Sequence, residues 1–156
     1  MGSLSHFDDR GASRMVDVSG KAATLRFARA SGRLRMAAAT LRMIRDQHIS
    51  KGDVLEVARL AGIMAAKRTG DLIPLCHAIP VESVTVDFAF PDELTVTVES
   101  SVRVTSRTGV EMEALTAVSV ALLTIYDMCK AVDRQMVLEA IQLEEKAGGR
   151  SGHFQR

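Results

Sequence analysis

The chain has 156 residues, 47% of them hydrophobic and 25% charged, with 20 Lys and Arg against 19 Asp and Glu. That length fits a single domain, and the apolar fraction excludes a disordered chain. A net charge of +1, 4% aromatic residues and no Trp argue against a dedicated nucleic-acid or anionic-membrane binder and against a base-stacking platform, so an anionic ligand needs a local convergence of basic residues.

The whole chain, 1–156, reads as one domain with polar arms over about 1–13 and about 146–156. The second arm, Lys146-Ala-Gly-Gly-Arg-Ser-Gly152, suits a frayed tail, or a strap that brings Lys146 and Arg150 over an anion. Residues 22–36 predict an extended segment broken at Ser31-Gly32, with Leu25 and Phe27 on one face and Thr24 and Arg26 on the other. Ala37–Gln47 predicts a short helix with Leu41 and Ile44 on one side. Asp53, with Glu56 three residues on, predicts the N-cap of a longer helix whose inward stripe is Val54, Val57, Ala58, Ala61 and Ala65, with Gly62 adding a small surface for close packing.

Alternation through Val84, Val86, Phe88 and Phe90, a turn at Pro91-Asp-Glu, and alternation again from Leu94 to Val104 predict a hairpin. Thr108-Gly-Val-Glu111 fits the capping box of a long helix running to about Val132, and Val137–Leu143 forms a last extended run. The order strand, helix, strand, strand, helix, strand describes an α+β, ferredoxin-like antiparallel sheet with two long helices on one face and a short helical insertion. The long helix is apolar on more than one side, with Val120 and Leu123 off the stripe of Leu115, Val118, Leu122 and Ile125. That pattern predicts a homo-oligomer. The longest uncharged run, 114–126, is too short to span a bilayer, and the start lacks an apolar signal segment. Cys76 and Cys129 form no C-x-x-C pair, which together with the missing signal segment predicts a cytoplasmic protein.

Several residue groups could carry chemistry. Lys51 stands before a helix start, where unpaired N–H groups favour anions; Lys67 and Arg68 end that helix, and Arg26 projects from a strand. Each is by itself an ordinary surface charge, and together they could hold a polyphosphate. Pro74-Leu75-Cys76-His77-Ala-Ile-Pro80 brackets a Cys-His pair between two prolines. A metal site lacks further ligands at zinc spacing, and a Cys nucleophile lacks a favourably placed base. A packed Cys76 beside a substrate-contacting His77 and a purely structural His77 both remain open. Glu111 and Glu113 suit either the capping of N–H groups or the recognition of a guanidine-like edge. Asp127 and Lys130, at i and i+3, form either a surface ion pair or, partly desolvated beside an apolar stretch, a proton acceptor and donor. A sensor or RNA-binding module is the competing class for this fold, and an RNA binder should present aromatic residues on the exposed sheet.

Seven stretches together carry a resemblance. They are Arg14-Met-Val-Asp-Val18, Lys51-Gly-Asp-Val54, Ala61-Gly-Ile-Met-Ala-Ala-Lys-Arg-Thr69, Asp71-Leu-Ile-Pro-Leu-Cys-His77, Thr108-Gly-Val-Glu-Met-Glu-Ala-Leu-Thr116, Leu123-Thr-Ile-Tyr-Asp-Met-Cys-Lys-Ala-Val132 and Lys146-Ala-Gly-Gly-Arg-Ser-Gly152. In this order they closely resemble the MoaC family of molybdenum-cofactor biosynthesis proteins. The resemblance implies conversion of 3′,8-cyclo-7,8-dihydroguanosine 5′-triphosphate, a cyclised GTP derivative, into cyclic pyranopterin monophosphate with release of pyrophosphate. It implies a hexamer built as a trimer of dimers with active sites at dimer interfaces. No cofactor is expected, and the balanced charge and short apolar run predict neither nucleic-acid nor membrane partners. Asp127, Lys130 and Lys51 fall on catalytic positions. Leu75, Cys76, His77, Met112, Glu113, Lys67 and Arg26 fall on positions that contact substrate, with Glu111 beside them. Ala78 departs from the Pro that the family usually carries after the His.

Overall fold

The computed structural model describes residues 6–47 and 53–156. Strand β1 (Thr24–Arg35) is followed by helices α1 (Ala38–Arg45), α2 (Val54–Lys67) and the one-turn α3 (Thr69–Leu72). The hairpin β2 (Ser83–Ala89) and β3 (Thr95–Ser106), helix α4 (Glu111–Cys129), and strands β4 (Val137–Ala147) and β5 (Phe154–Gln155) complete the chain. The sheet order is β2-β3-β1-β4-β5 with antiparallel pairing throughout. The four principal strands thus have the order of the expected ferredoxin-like α+β fold, and β5 extends one edge.

Alternation decides which face of each strand meets the helices. Arg26, Ala28, Ala30 and Leu34 of β1 point inward and pair with Val104, Val102, Ser100 and Val96 of β3. The two face assignments around Arg26 hold, but Arg26 lies on the buried side and Leu25 on the exposed one. On the outer face Arg29 bridges Glu99 at 2.8 Å and Glu145 at 3.5 Å. Phe27 lies on that same face, stacked under Arg103 at 5.4 Å. A face dominated by ion pairs gives RNA bases no row of aromatic rings to stack on.

β1 runs unbroken along β3, while its register with β4 shifts between Arg29 and Ala30 and between Ser31 and Arg33, next to the expected break. Gly32 stays within the strand because a Cβ there would lie 2.7 Å from both Leu122 and Val118. The glycine admits α4 rather than ending the strand. Helix α4 buries Ala114, Ala117, Val118, Ala121, Leu122 and Ile125, the i, i+3/i+4 spacing of a core-facing stripe. By length and composition alone α4 could cross a bilayer, but half of it is buried against the sheet and α2, as in a core helix.

Asp53 caps α2 as its position predicts, accepting from the N–H groups of Leu55 and Glu56. The inward residues are Val54, Ala58, Gly62, Ala65 and Ala66, whereas Val57 is exposed and Ala61 half-buried. Gly62 lets the two long helices approach closely, since a Cβ there would sit 2.9 Å from the carbonyl oxygen of Ala117.

Three further expectations change. Thr108 caps nothing: the N-cap of α4 is Val110, with no side-chain cap, and the helix ends at Cys129 rather than near Val132. Lys146 belongs to β4, not to a free arm. The glycine-rich segment after it makes a turn through left-handed Gly148, Gly149 and Gly152 and returns as β5.

Candidate active site

Two clefts meet where the start of β1, the segment before α4 and the glycine turn converge. The first, about 570 Å³, gathers five cations, Lys21, Arg26, Arg107, Lys146 and Arg150, around one carboxylate, Glu111. The second, about 640 Å³, is lined by Val16, Val18, Ile73, Leu75, Cys76, His77 and Met112. Lys21, Thr108, Gly109 and Glu111 border both. A strongly cationic cleft opening into a largely apolar one suits a ligand with a polyanionic end and a flat, weakly polar end.

In the second cleft the sequence assignments converge. His77 donates from Nε2 to the Val16 carbonyl at 2.7 Å. A carbonyl only accepts, so in the neutral ring Nδ1 is left as the acceptor. Cys76 is partly buried, and burial first, then the charges of Glu113 and Glu111, hold its thiol above its ordinary pKa. A thiol held protonated in this way suits packing better than nucleophilic attack. Leu75, Cys76, His77, Met112 and Glu111 therefore share one cavity.

Glu113 points to a third recess of about 280 Å³, beside Lys67, Thr69, Ala78 and Pro80. It is almost wholly buried, and among the described residues neither carboxyl oxygen has a hydrogen-bond partner. Burial, reinforced by the nearby Glu111 charge, pushes its pKa up to about 7. Glu111 does not cap α4: it receives Lys146 Nζ at 2.9 Å, and the same ammonium donates to Ser151 Oγ at 2.9 Å.

Other assignments do not meet here. Asp127 and Lys130 pair at 2.6 Å at the far end of α4, more than half exposed, which is the surface ion pair of the two alternatives and not the partly desolvated couple. The hydrogen bond to Asp127 holds Lys130 protonated, above its ordinary pKa. Fourteen helical residues separate Glu113 from Asp127, a rise of about 21 Å, so a single chain does not bring both to one small molecule. Lys51 lies outside the described residues. Lys21 and Arg107, absent from the sequence-based candidates, line the cationic cleft. The available hint was their place next to small residues in Gly20-Lys21-Ala22 and Arg107-Thr108-Gly109. Among the described residues no cluster of three or more His, Cys, Asp or Glu is arranged to hold a metal.

The profile of the MoaC family matches residues 15–149. This chain belongs to the MoaC family. A relative from Heliobacterium modesticaldum named cyclic pyranopterin monophosphate synthase is 61% identical over 158 aligned positions, covering 100% of this chain and 99% of the relative. One of the same name from Magnetococcus marinus is also 61% identical, covering 100% and 96%. Cyclic pyranopterin monophosphate synthase 3 of Mycobacterium tuberculosis is 58% identical over 155 positions, covering 99% and 88%. The matched region ends at Gly149, within the glycine turn, and takes in the described lining of the first cleft except Arg150 and Ser151.

Proposed function

We propose that this chain is a cyclic pyranopterin monophosphate synthase, which takes the cyclised GTP derivative named above and releases pyrophosphate. The observation that carries this reading is the junction of the cationic and apolar clefts, in a chain whose full-length relatives bear that name. The triphosphate lies in the first cleft against Lys21, Arg107 and Arg150, none of which has an ion-pair partner among the described residues. The base lies against Leu75, Cys76, His77 and Met112. Glu113, next to Met112 in sequence, turns its buried and unpaired carboxyl to the third recess rather than to the base cleft, and N–H donors that enter that recess offset part of the cost of leaving both oxygens unpaired.

Two chemical demands follow. Rebuilding a purine as a pterin moves protons at several ring and ribose positions, and Asp127 with Lys130 supplies an acceptor and a donor. In the phosphate step a sugar hydroxyl oxygen bonds to the α-phosphorus while the bond from that phosphorus to the bridging oxygen of pyrophosphate breaks. The hydroxyl proton passes to a base, and the cations of the first cleft, with Lys51 and Lys67, balance the leaving group.

Because Asp127 and Lys130 stand far from the clefts within one chain, the site is composite, with the pair supplied by a second copy. Exposed Val57, Leu60 and Met64 along α2, and Leu123 on α4, give that copy an apolar surface to cover. The assembly is the hexameric trimer of dimers. A free thiol at Cys76 suits the reducing cytoplasm. Incubation with the cyclised GTP derivative should release one pyrophosphate per cyclic pyranopterin monophosphate formed. Binding of the compound without pyrophosphate release contradicts the assignment and leaves a sensor.

A further inference from the structure

Arg26 is the most buried of the cations at the first cleft, at 9% exposure, and its guanidinium is already engaged. Nε donates to the Ser106 carbonyl at 3.2 Å, Nη2 to Arg107 at 3.2 Å and Nη1 to Gly148 at 3.5 Å. These three acceptors belong to two separate segments, the one leading into α4 and the glycine turn after β4. Arg107 and Arg150 ride on those segments, and both line the cleft.

The glycine turn is shaped around this arginine. A Cβ on Gly149 would fall 1.9 Å from Arg26 Nη1, and one on Gly148 would fall 2.1 Å from the Leu25 carbonyl. Gly148 and Gly149 both have positive φ, 100° and 74° respectively. Close approach and left-handed backbone therefore both demand glycine. Lys146 ties the same two regions a second time, through Glu111 at the start of α4 and Ser151 in the turn.

We propose that Arg26 acts in the reaction as a positioning residue. It fastens the 106–109 segment to the 148–151 turn through their carbonyls, and so aims Arg107 and Arg150 at the phosphates. This rests on the assignment of the first cleft to the triphosphate. It differs from a direct phosphate contact by Arg26, because the planar fork is spent on main-chain oxygens. A lysine keeps the charge but cannot span three carbonyls in two segments.

The full-length oligomer carrying Arg26→Lys, Gly149→Ala, Arg26→Ala, Arg150→Ala or the Arg26→Ala/Arg150→Ala pair tests this by three readouts. Amide hydrogen exchange at 106–109 and 148–152 should accelerate in Arg26→Lys and Gly149→Ala. The dissociation constant for inorganic pyrophosphate and KM should rise about tenfold or more in both variants, with kcat changed less than about threefold. The double alanine variant should lose less than the product of the two single losses. Near-normal affinity in Arg26→Lys, multiplicative losses in the double variant, or unchanged exchange in the two segments would each overturn the proposal. Exchange reports the fastening whether or not the wild-type protein turns over the GTP derivative, so it stands apart from a failure of the functional assignment.

Discussion

Glu113 shows how one side chain couples stability to ligand chemistry. A carboxyl with both oxygens buried and unpaired favours its proton, which is why its pKa lies near 7 instead of 4.5. The unfolded chain gives up that proton near pH 4.5, the folded chain only near pH 7. Between those values the folded state holds more protons, so stability falls as pH rises and levels off above about 7. Glu113→Gln keeps the shape and removes the titration. Urea unfolding should therefore show a flatter pH profile for the variant, which gains up to about 3 kcal/mol over the wild type at pH 8. Parallel profiles for the two proteins would show that Glu113 ionises normally. A carboxyl that titrates near neutrality also changes from donor and acceptor to acceptor alone, which matters to any base that presents N–H groups to it.

Among the elements, the contact between α2 and α4 is fixed by a glycine. Alanine usually stabilises a helix by about 1 kcal/mol over glycine. At Gly62 the added methyl would lie 2.9 Å from the Ala117 carbonyl, and overpacking of this kind costs about 1–3 kcal/mol. The second effect is the larger, so Gly62→Ala should lower the urea midpoint; a raised midpoint would mean that the helices separate without strain.

Local signals were readable wherever one element decides its own shape. Asp53 identifies the start of α2 because its side chain serves the N–H groups of the next turn, and the hairpin is legible because every second residue faces a core. Where a distant element decides, the sequence misleads. Gly32 looks like a break but accommodates α4, and Thr108 looks like a cap although Val110 holds that place. The glycine turn reads as a loose tail because the arginine that shapes it stands more than a hundred residues earlier.

At the scale of the molecule, local motifs gathered Leu75, Cys76, His77, Glu111 and Met112 into one cleft. They left Asp127 and Lys130 at the opposite end of α4. Spacing along a helix tells which residues share a face, but not that 14 residues place two motifs about 21 Å apart. Nor could the sequence show that Lys21 and Arg107 join Arg150 in one cleft, since that convergence depends on β1, β3 and β4 pairing at their ends.

The central claim is a site shared between two copies, and mixing subunits tests it most directly. Asp127→Asn removes the proposed proton acceptor and His77→Ala removes a cleft residue, and each alone should reduce turnover by about a hundredfold or more. When the two variants are co-assembled, a two-fold dimer containing one of each has one site with both groups intact and one with neither. Random mixing should then restore about a quarter of wild-type pyrophosphate release. Mixtures no more active than their parents would place Asp127 and His77 in the same subunit's site and contradict the account.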